Sequence, residues 1–506
     1  MASPRLYIIQ QVLPTFCGRC LLIFSFLMPG FLMGSNVALR DAKLLTENQL
    51  QVSLRWEQSW SLADGRHDAI WLFAKYRPDA NSPWQHLKLS SDSLSHVADI
   101  ETLIQPVADE MGVMIRPSQT GSGLIDWQTL TLELAQALPL GTVDLAVYAI
   151  EMAYVVEGPY WLGDSTSFHH FRDSEDDGAY WVANEGTIPE VDWSTGDEAT
   201  IAGDMPAVYP KGTEGFYLMK YELSQAQYRD FLNSLSYVQQ LSRFEQIPYA
   251  APGTQAMVPA GLPLSRNGIV IEQSGAMPNI PAVVACDVNA QDGLNGPADG
   301  QTRACNFLNW ADLLAYLDWA GLSPLTELAF EKACRGPLAP VRREFAWGTA
   351  AVIDANTVVD DGTPQESVTE QATPNAGIGA HGYTGPDGPL RNGFATHAMS
   401  DRLQSGAGYY GHLELSGNLW ELCIGVDSLG LLFTGAHGDG VLDSNGDANV
   451  AGWYLNGGGI HRGGAFFSGI FGEFRDLAVS DRFYHDLHPS QRRKTTGGRG
   501  VRWMGR

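Results

Sequence analysis

The sequence predicts an all-β, sandwich-like domain over residues 44–150, followed by an α+β domain over residues 151–506 that contains little regular structure. Three observations lead there. Short apolar runs with the period of a strand, cut by turn residues, fill the first region. Helical periodicity marks segments that begin near Ser224, Trp310 and Thr326. Finally, 47 of the 55 glycines follow residue 150, and glycine suits long irregular segments because it reaches backbone conformations closed to other residues.

In the first region Gln49–Trp56 alternates, Ala69–Tyr76 is aromatic and β-branched, and Trp84–Leu89, Gly112–Arg116, Ile125–Leu134 and Val143–Ile150 repeat the signal. Asp64-Gly65, Pro78–Pro83 and Gly121–Gly123 separate these runs as turns. About six or seven short strands with regular turns have the form of a sandwich. Its five tryptophans are expected in a core or an interface, and His67-Asp68 in a turn.

The second region opens on an acidic run, Asp164–Asp204, with eleven acidic residues and one arginine. It lacks a lasting apolar period and reads as a solvated insertion, 164–204. Ser224 then heads a helix as its N-cap, in a capping-box relation with Gln227, with Tyr228, Phe231, Leu232 and Leu235 on one face. A second helix spans Trp310–Ala320, turns Leu313, Leu314 and Leu317 inward, and stops at Gly321. A third spans Thr326–Arg335. The long irregular remainder needs more than strand ladders to hold it, such as bound ions or aromatic packing.

Over its 506 residues the chain carries 32 basic and 57 acidic side chains, a net charge of −25. That surface repels phosphate backbones and anionic lipid heads, which excludes nucleic acid as a partner. Residues 1–40 carry only basic charges around the apolar stretch Leu21–Met33, in the form of a secretory signal. Interrupted by Pro29-Gly30, the stretch falls short of the ~20 residues of a membrane span. Export to a periplasmic, cell-surface or secreted location follows, with no stable span beyond that segment. Cys17 and Cys20 lie inside it. Of the other four cysteines, Cys286 and Cys305 bracket the loop Asp287–Thr302. After export a disulfide between them would stabilise the fold by roughly 3 kcal/mol. Two buried thiols are the alternative.

The runs Met152–Gly163, Tyr221–Tyr228, Asn309-Trp310, Trp319–Gly321, Pro324–Glu327, Phe330–Gly336, Trp347-Gly348, Ser416–Glu421, Arg462–Gly464 and Arg499–Arg502 resemble the formylglycine-generating enzyme (sulfatase-modifying factor) domain family in order and spacing. The resemblance covers residues 151–506 and leaves 44–150 outside. It implies an irregular, C-type-lectin-like α+β fold. Active members oxidise a substrate cysteine to formylglycine, using copper held by two cysteines just after the Arg-Gly-Gly segment. Here those positions are Ser468 and Glu473. Oxygen replaces thiolate poorly as a Cu(I) ligand, so copper is not expected and no residue is assigned as catalytic. A related branch makes sulfur–carbon bonds with iron held by a histidine-bearing helical domain. Here residues 44–150 read as strands, and His485 and His488 precede Pro489 and read as a polar loop.

The resemblance also implies calcium, held by the Glu414 side chain, the carbonyls of Gly417 and Leu419, and the Glu421 carboxylate. The family usually has asparagine where this chain has Glu414, and calcium accepts the extra anionic oxygen. The alternative is that Glu421 accepts backbone amides within the turn. A second calcium would use Asn375 and Asp387. Independently, Asp443-Ser-Asn-Gly-Asp-Ala-Asn449 repeats oxygen-bearing side chains at alternate positions, as in the first half of a calcium loop. Tyr454 stands where the closing glutamate belongs, and an Asx-rich turn is the alternative reading. Together these readings describe a non-catalytic exported protein whose scaffold binds a protein or glycan at the cell surface, or builds an assembly. The alternatives are a formylglycine-generating oxidase, a divergent enzyme in the same cleft, and a carbohydrate-binding module displaying Trp453 and Tyr454.

Overall fold

A computed structural model describes residues 6–7 and 37–505, apart from 81, 142, 168, 196–202, 292, 382–384, 398–399, 469–474 and 485–488. Most of the signal-like segment therefore lies outside the described residues. The fold is organised around the strand Asp68–Arg77, whose first eight residues are all buried. Its Ile70, Leu72 and Ala74 point into a core with Leu50, Val52, Leu54 and Trp56. The alternate residues Ala69, Trp71 and Phe73 enter a second core with Phe231, Leu314 and Trp319. A strand covered on both faces carries a continuous apolar run rather than alternation, as this one does.

That strand sits inside the largest sheet, whose order is Ser323–Pro324, Gly500–Trp503, Phe216–Met219, Asp144–Val155, Asp68–Arg77, Val113–Pro117 and Thr102–Pro106. A four-stranded sheet, Val37–Thr46, Gln49–Ser61, Gly121–Glu133 and Val97–Ala98, closes the first core. Helices cover the opposite face. Residue 150, where the composition changes, falls within the strand Asp144–Val155. This strand pairs antiparallel with Asp68–Arg77 through Asp144↔Arg77 to Ala153↔Asp68, and with Phe216–Met219 through Met152↔Met219. The two regions thus share one sheet.

The described residues contain four α-helices, which with the many strands makes the fold α+β: α1 (Gln225–Ser234), α2 (Tyr237–Arg243), α3 (Trp310–Trp319) and α4 (Glu327–Arg335). Capping boxes open α1 at Ser224 and Gln227, α2 at Ser236 and Gln239, and α3 at Asn309 and Asp312. Thr326 caps α4, which ends at Gly336 with φ 68°. The seven-residue α2 was not expected, because it is too short to show a period.

Four expectations are corrected. Cys286 and Cys305 form no disulfide; both are free buried thiols, as are Cys334 and Cys423. Hydrogen bonds close the loop instead: Asp299 accepts from the amides of Asn289 (3.0 Å) and Gly296 (2.6 Å), and Asn295 accepts from the Cys286 amide (3.0 Å). His67-Asp68 is not a surface turn. Asp68 begins the central strand with its carboxylate fully buried 3.6 Å from Lys220 Nζ, and His67 stacks on Tyr154. The acidic run is not solvated throughout, since Phe171, Val182, Ile188 and Trp193 belong to the main core. Trp453 is only 7% exposed and joins that core, leaving Tyr454 as the exposed member of the pair.

Burial leaves several histidines neutral. It pushes His412 down to about 3, and moves His86 and His437 in the same direction. The His412 Nε2 lies 3.2 Å from the Ala153 carbonyl, and His437 accepts from the Trp503 amide at 2.9 Å. Each group takes up a proton on unfolding once the pH drops below its ordinary value near 6.5. The stability it contributes is therefore present above pH 6.5 and lost as the pH falls below that value, toward 3 in the case of His412. For His412 alone the loss at pH 5 is roughly 2 kcal/mol. Urea unfolding between pH 7.5 and 5 will show this slope, and His412→Gln will flatten it.

Candidate functional site

The sequence of α4 places Glu327, Glu331 and Arg335 at four-residue spacing, so the three stand on one helix face. That face is wholly buried. Glu327 takes Arg462 Nη1 at 2.8 Å on one oxygen and Arg482 on both, at 2.6 and 2.9 Å. Glu331 takes Arg462 Nη2 at 2.7 Å and Arg335 at 3.3 Å. Arg335 continues to Glu344 and to the Ser480 hydroxyl. Three carboxylates meet three guanidiniums, and the fork of Arg462 bridges two helix turns.

This network fixes the chain that leads to the position of the first family cysteine. After Arg462 the chain passes through Gly463 and Gly464 at φ 83° and 75°. A Cβ on Gly463 would lie 2.5 Å from the Leu415 carbonyl, so only glycine fits. Ser468 follows in a closed turn, its amide donating to the Ala465 carbonyl (2.8 Å) and its hydroxyl accepting from the Ala465 amide (2.9 Å). It is buried. Glu473, His485 and His488 lie outside the described residues.

Beside it, the strand Trp420–Ile424 runs between Gly459–Arg462 and Thr496–Gly497, with Glu421 opposite Arg462. The loop that feeds it turns through left-handed residues at Glu414 (φ 57°), Gly417 (φ 93°) and Asn418 (φ 61°). Glu414 is buried; one oxygen accepts from the Gly393 amide at 3.0 Å, and Oε2 has no hydrogen-bond partner among the described residues. Burial pushes its carboxyl up to about 7. Glu421 accepts from Arg499 Nε at 2.6 Å on Oε1, its Oε2 is likewise buried without a hydrogen-bond partner among the described residues, and burial raises its carboxyl too. The expectation that Glu421 accepts backbone amides does not describe this arrangement.

Two further residues complete the group. Glu222 accepts from the Leu419 amide (2.9 Å) and from the Asn418 side chain, and burial followed by the Glu421 charge holds it well above the carboxylate range. Arg499 is fully buried; besides Glu421 it donates to the carbonyls of Met219, Lys220 and Leu413. The Arg499 charge therefore acts on all three carboxyl groups, and Arg391 adds to it at Glu414. Glu414, Ser416 and Asn418 also line a void of about 10 Å3, roughly one water-sized sphere. Glu222 and Arg499 stand inside recognised motifs, yet the sequence reading gave neither a role. Glu222 is the sole charged residue of Tyr221–Tyr228, which is the signal that would have found it, whereas Arg499 shares its motif with Arg502 and carries no such signal.

The other candidates are placed elsewhere. Asn375 is exposed, with its carbonyl accepting from the Thr349 hydroxyl, and the exposed Asp387 pairs with Lys494 at 2.5 Å. Asp443 accepts from the amides of Asn445 (2.8 Å) and Asp447 (2.9 Å), while Asp447 pairs with Arg243, so this run is an Asx turn anchored on α2. Among the described residues no three or more His, Cys, Asp or Glu side chains gather as a metal site.

A family model described as sulfatase-modifying factor enzyme 1-like domain matches residues 187–504, and the chain belongs to this family. The chain is also similar to the formylglycine-generating enzyme of Mus musculus, at 25% identity over 223 residues, covering 41% of this chain and 48% of the mouse protein. The match thus spans about half the length of that relative.

Removing one partner of a buried ion pair strands the other charge and costs about 3–5 kcal/mol. Glu331→Gln and Arg462→Met are each expected to lose that much in urea unfolding. Arg462→Lys should lose nearly as much, because an ammonium cannot span both glutamates. Losses under 1 kcal/mol would show that the network does not constrain the fold.

Proposed function

We propose that this chain is a non-catalytic, exported member of its family, in which the lectin-like scaffold serves binding or assembly at the cell surface. The observation that carries the proposal is Ser468, which stands with its hydroxyl engaged in a tight turn where copper-holding members have a thiol. The remaining thiols are poorly suited to replace it. Burial pushes Cys286 up to about 12 and raises Cys305, Cys334 and Cys423 as well, whereas the thiolate is the metal ligand. The buried Trp453 removes one of the two aromatics that suggested carbohydrate binding. Purified protein supplied with Cu(I) and a cysteine-containing peptide should form no aldehyde that hydroxylamine can trap. Aldehyde above a protein-free copper control would overturn the proposal.

Calcium belongs to the same proposal, held by Glu414 and Glu421 with the Gly417 and Leu419 carbonyls. Two buried carboxylate oxygens without hydrogen-bond partners among the described residues, and three carboxyl groups that share Arg499 with only Arg391 besides, support it. Such oxygens are the donors calcium prefers, and bound calcium would supply the missing positive charge. Asn375 and Asp387 do not enter this proposal, because Lys494 already holds Asp387. Calcium at a hundredfold excess over its Kd should stabilise the fold by ~2.7 kcal/mol, read as a higher Tm than in chelator. Glu414→Gln should abolish that difference while leaving the Arg499–Glu421 pair in place. Equal Tm values with calcium and with chelator would remove calcium from the proposal.

A further inference from the structure

A cavity of about 160 Å3 opens between the strand Asp144–Val155, the edge residues Val37 and Leu39, and helices α1 and α3. Ser468 does not line it, so its chemistry is independent of whether the fold catalyses anything. Such a volume holds a molecule about the size of benzene. One wall is aromatic. Tyr148 and Trp319 meet with ring centroids 4.9 Å apart at 71°, Phe73 stacks on Tyr148 at 5.1 Å, and Tyr316 lies 5.7 Å from Trp319. The cavity is also lined by Glu151, Glu222 and Asp230, with Arg391 as the one cation among its lining residues; both Glu222 oxygens are held by Leu419 and Asn418 and Glu151 pairs with Lys220, which leaves Asp230 as the carboxylate open to a ligand.

The polar groups favour a cation over an anion. The α1 N-terminus borders the cavity, but its first amides are engaged: Ser224 and Gln227 satisfy each other in the capping box, Gln225 donates to the Arg303 carbonyl and Ala226 to the Gln301 carbonyl. Nothing remains there for an anion to accept from. Arg391 turns its guanidinium onto the carbonyls of Glu366, Asn392 and Gly393. Arg229 and Lys220 stand behind Asp230 and Glu151. Arg229 reaches only Oδ1 of Asp230, at 2.7 Å, and Oδ2 has no partner among the described residues. The Tyr148 hydroxyl, which lies in the field of that carboxylate, also hydrogen-bonds no described residue.

We infer that this cavity is a binding site for a small organic cation, an ammonium or guanidinium carried on an apolar body. The body lies against Phe73, Tyr148 and Trp319, and the charge reaches Asp230 Oδ2 and the Tyr148 hydroxyl. Ring faces attract cations, most strongly where water is excluded, and the carboxylate adds a charged hydrogen bond. A free amine and an arginine side chain on a partner protein share this chemistry.

Calorimetric titration of the full chain tests the site. Benzylammonium is expected to bind saturably, and benzyl alcohol, its neutral counterpart, about tenfold more weakly or worse. Asp230→Asn should weaken benzylammonium about tenfold and leave benzyl alcohol unchanged; Tyr148→Phe, which keeps the ring, should weaken it less. Acetyl-Gly-Arg-Gly-amide distinguishes the sources, since tighter binding than benzylammonium assigns the site to a partner's arginine and weaker binding to a free amine. No saturable binding of either cation, equal binding of the alcohol, or an unaffected Asp230→Asn would each overturn the inference.

Discussion

The loop-rich region after Gly336 depends on the charge balance around α4. Long segments after Gly336 have few ladders, and four points of that chain converge on this helix: Glu344, Arg462, Ser480 and Arg482. Glu331 reaches outward as well, accepting from the Gly163 amide, and Glu327 accepts from the Val426 amide. A buried ion pair adds little net stability compared with apolar packing of the same volume, but it penalises every arrangement that leaves one charge alone. In a region made of loops, that penalty selects one arrangement among many. The loops keep their geometry because moving any of them would strand a charge in the core.

The same logic, left incomplete, describes the neighbouring group. Around α4 the charges cancel, whereas the three carboxyl groups of Glu222, Glu414 and Glu421 share Arg499, with Arg391 acting on Glu414 alone among them. The two clusters are joined through the pairing of Glu421 with Arg462 across adjacent strands. One is closed by the protein's own side chains. The other calls either for protons, which the raised Glu414 carboxyl would accept, or for an added cation.

Much of this was legible in the chain. A capping box marked α1, periodicity and the C-terminal Gly321 marked α3, periodicity marked α4, and the apolar run Ala69–Tyr76 marked the central strand. Ser468 was legible because absence of a thiol needs no coordinates. What periodicity could not convey is the identity of the covering partner. Asp68 and Trp453 looked like surface residues because polar or glycine-rich neighbours surround them in sequence, while distant segments bury them in space. Glu222 and Arg499, 277 positions apart by their numbers, meet only in the fold. The disulfide expected from loop length was replaced by Asp299 and Asn295, whose backbone hydrogen bonds leave no trace in cysteine spacing.

The strand Asp144–Val155 carries a practical meaning of its own. A match that begins at residue 187 suggests excising that portion for study. Doing so would strip Phe216–Met219 of one of its two hydrogen-bonding neighbours, leaving only Gly500–Trp503, and uncover the side of the helical layer that Trp71 and Phe73 occupy. An unpaired edge beside exposed aromatics invites self-association. For this chain the unit of homology and the unit of folding differ, and a soluble fragment has to begin upstream of the four-stranded sheet, not at the border that relatives define.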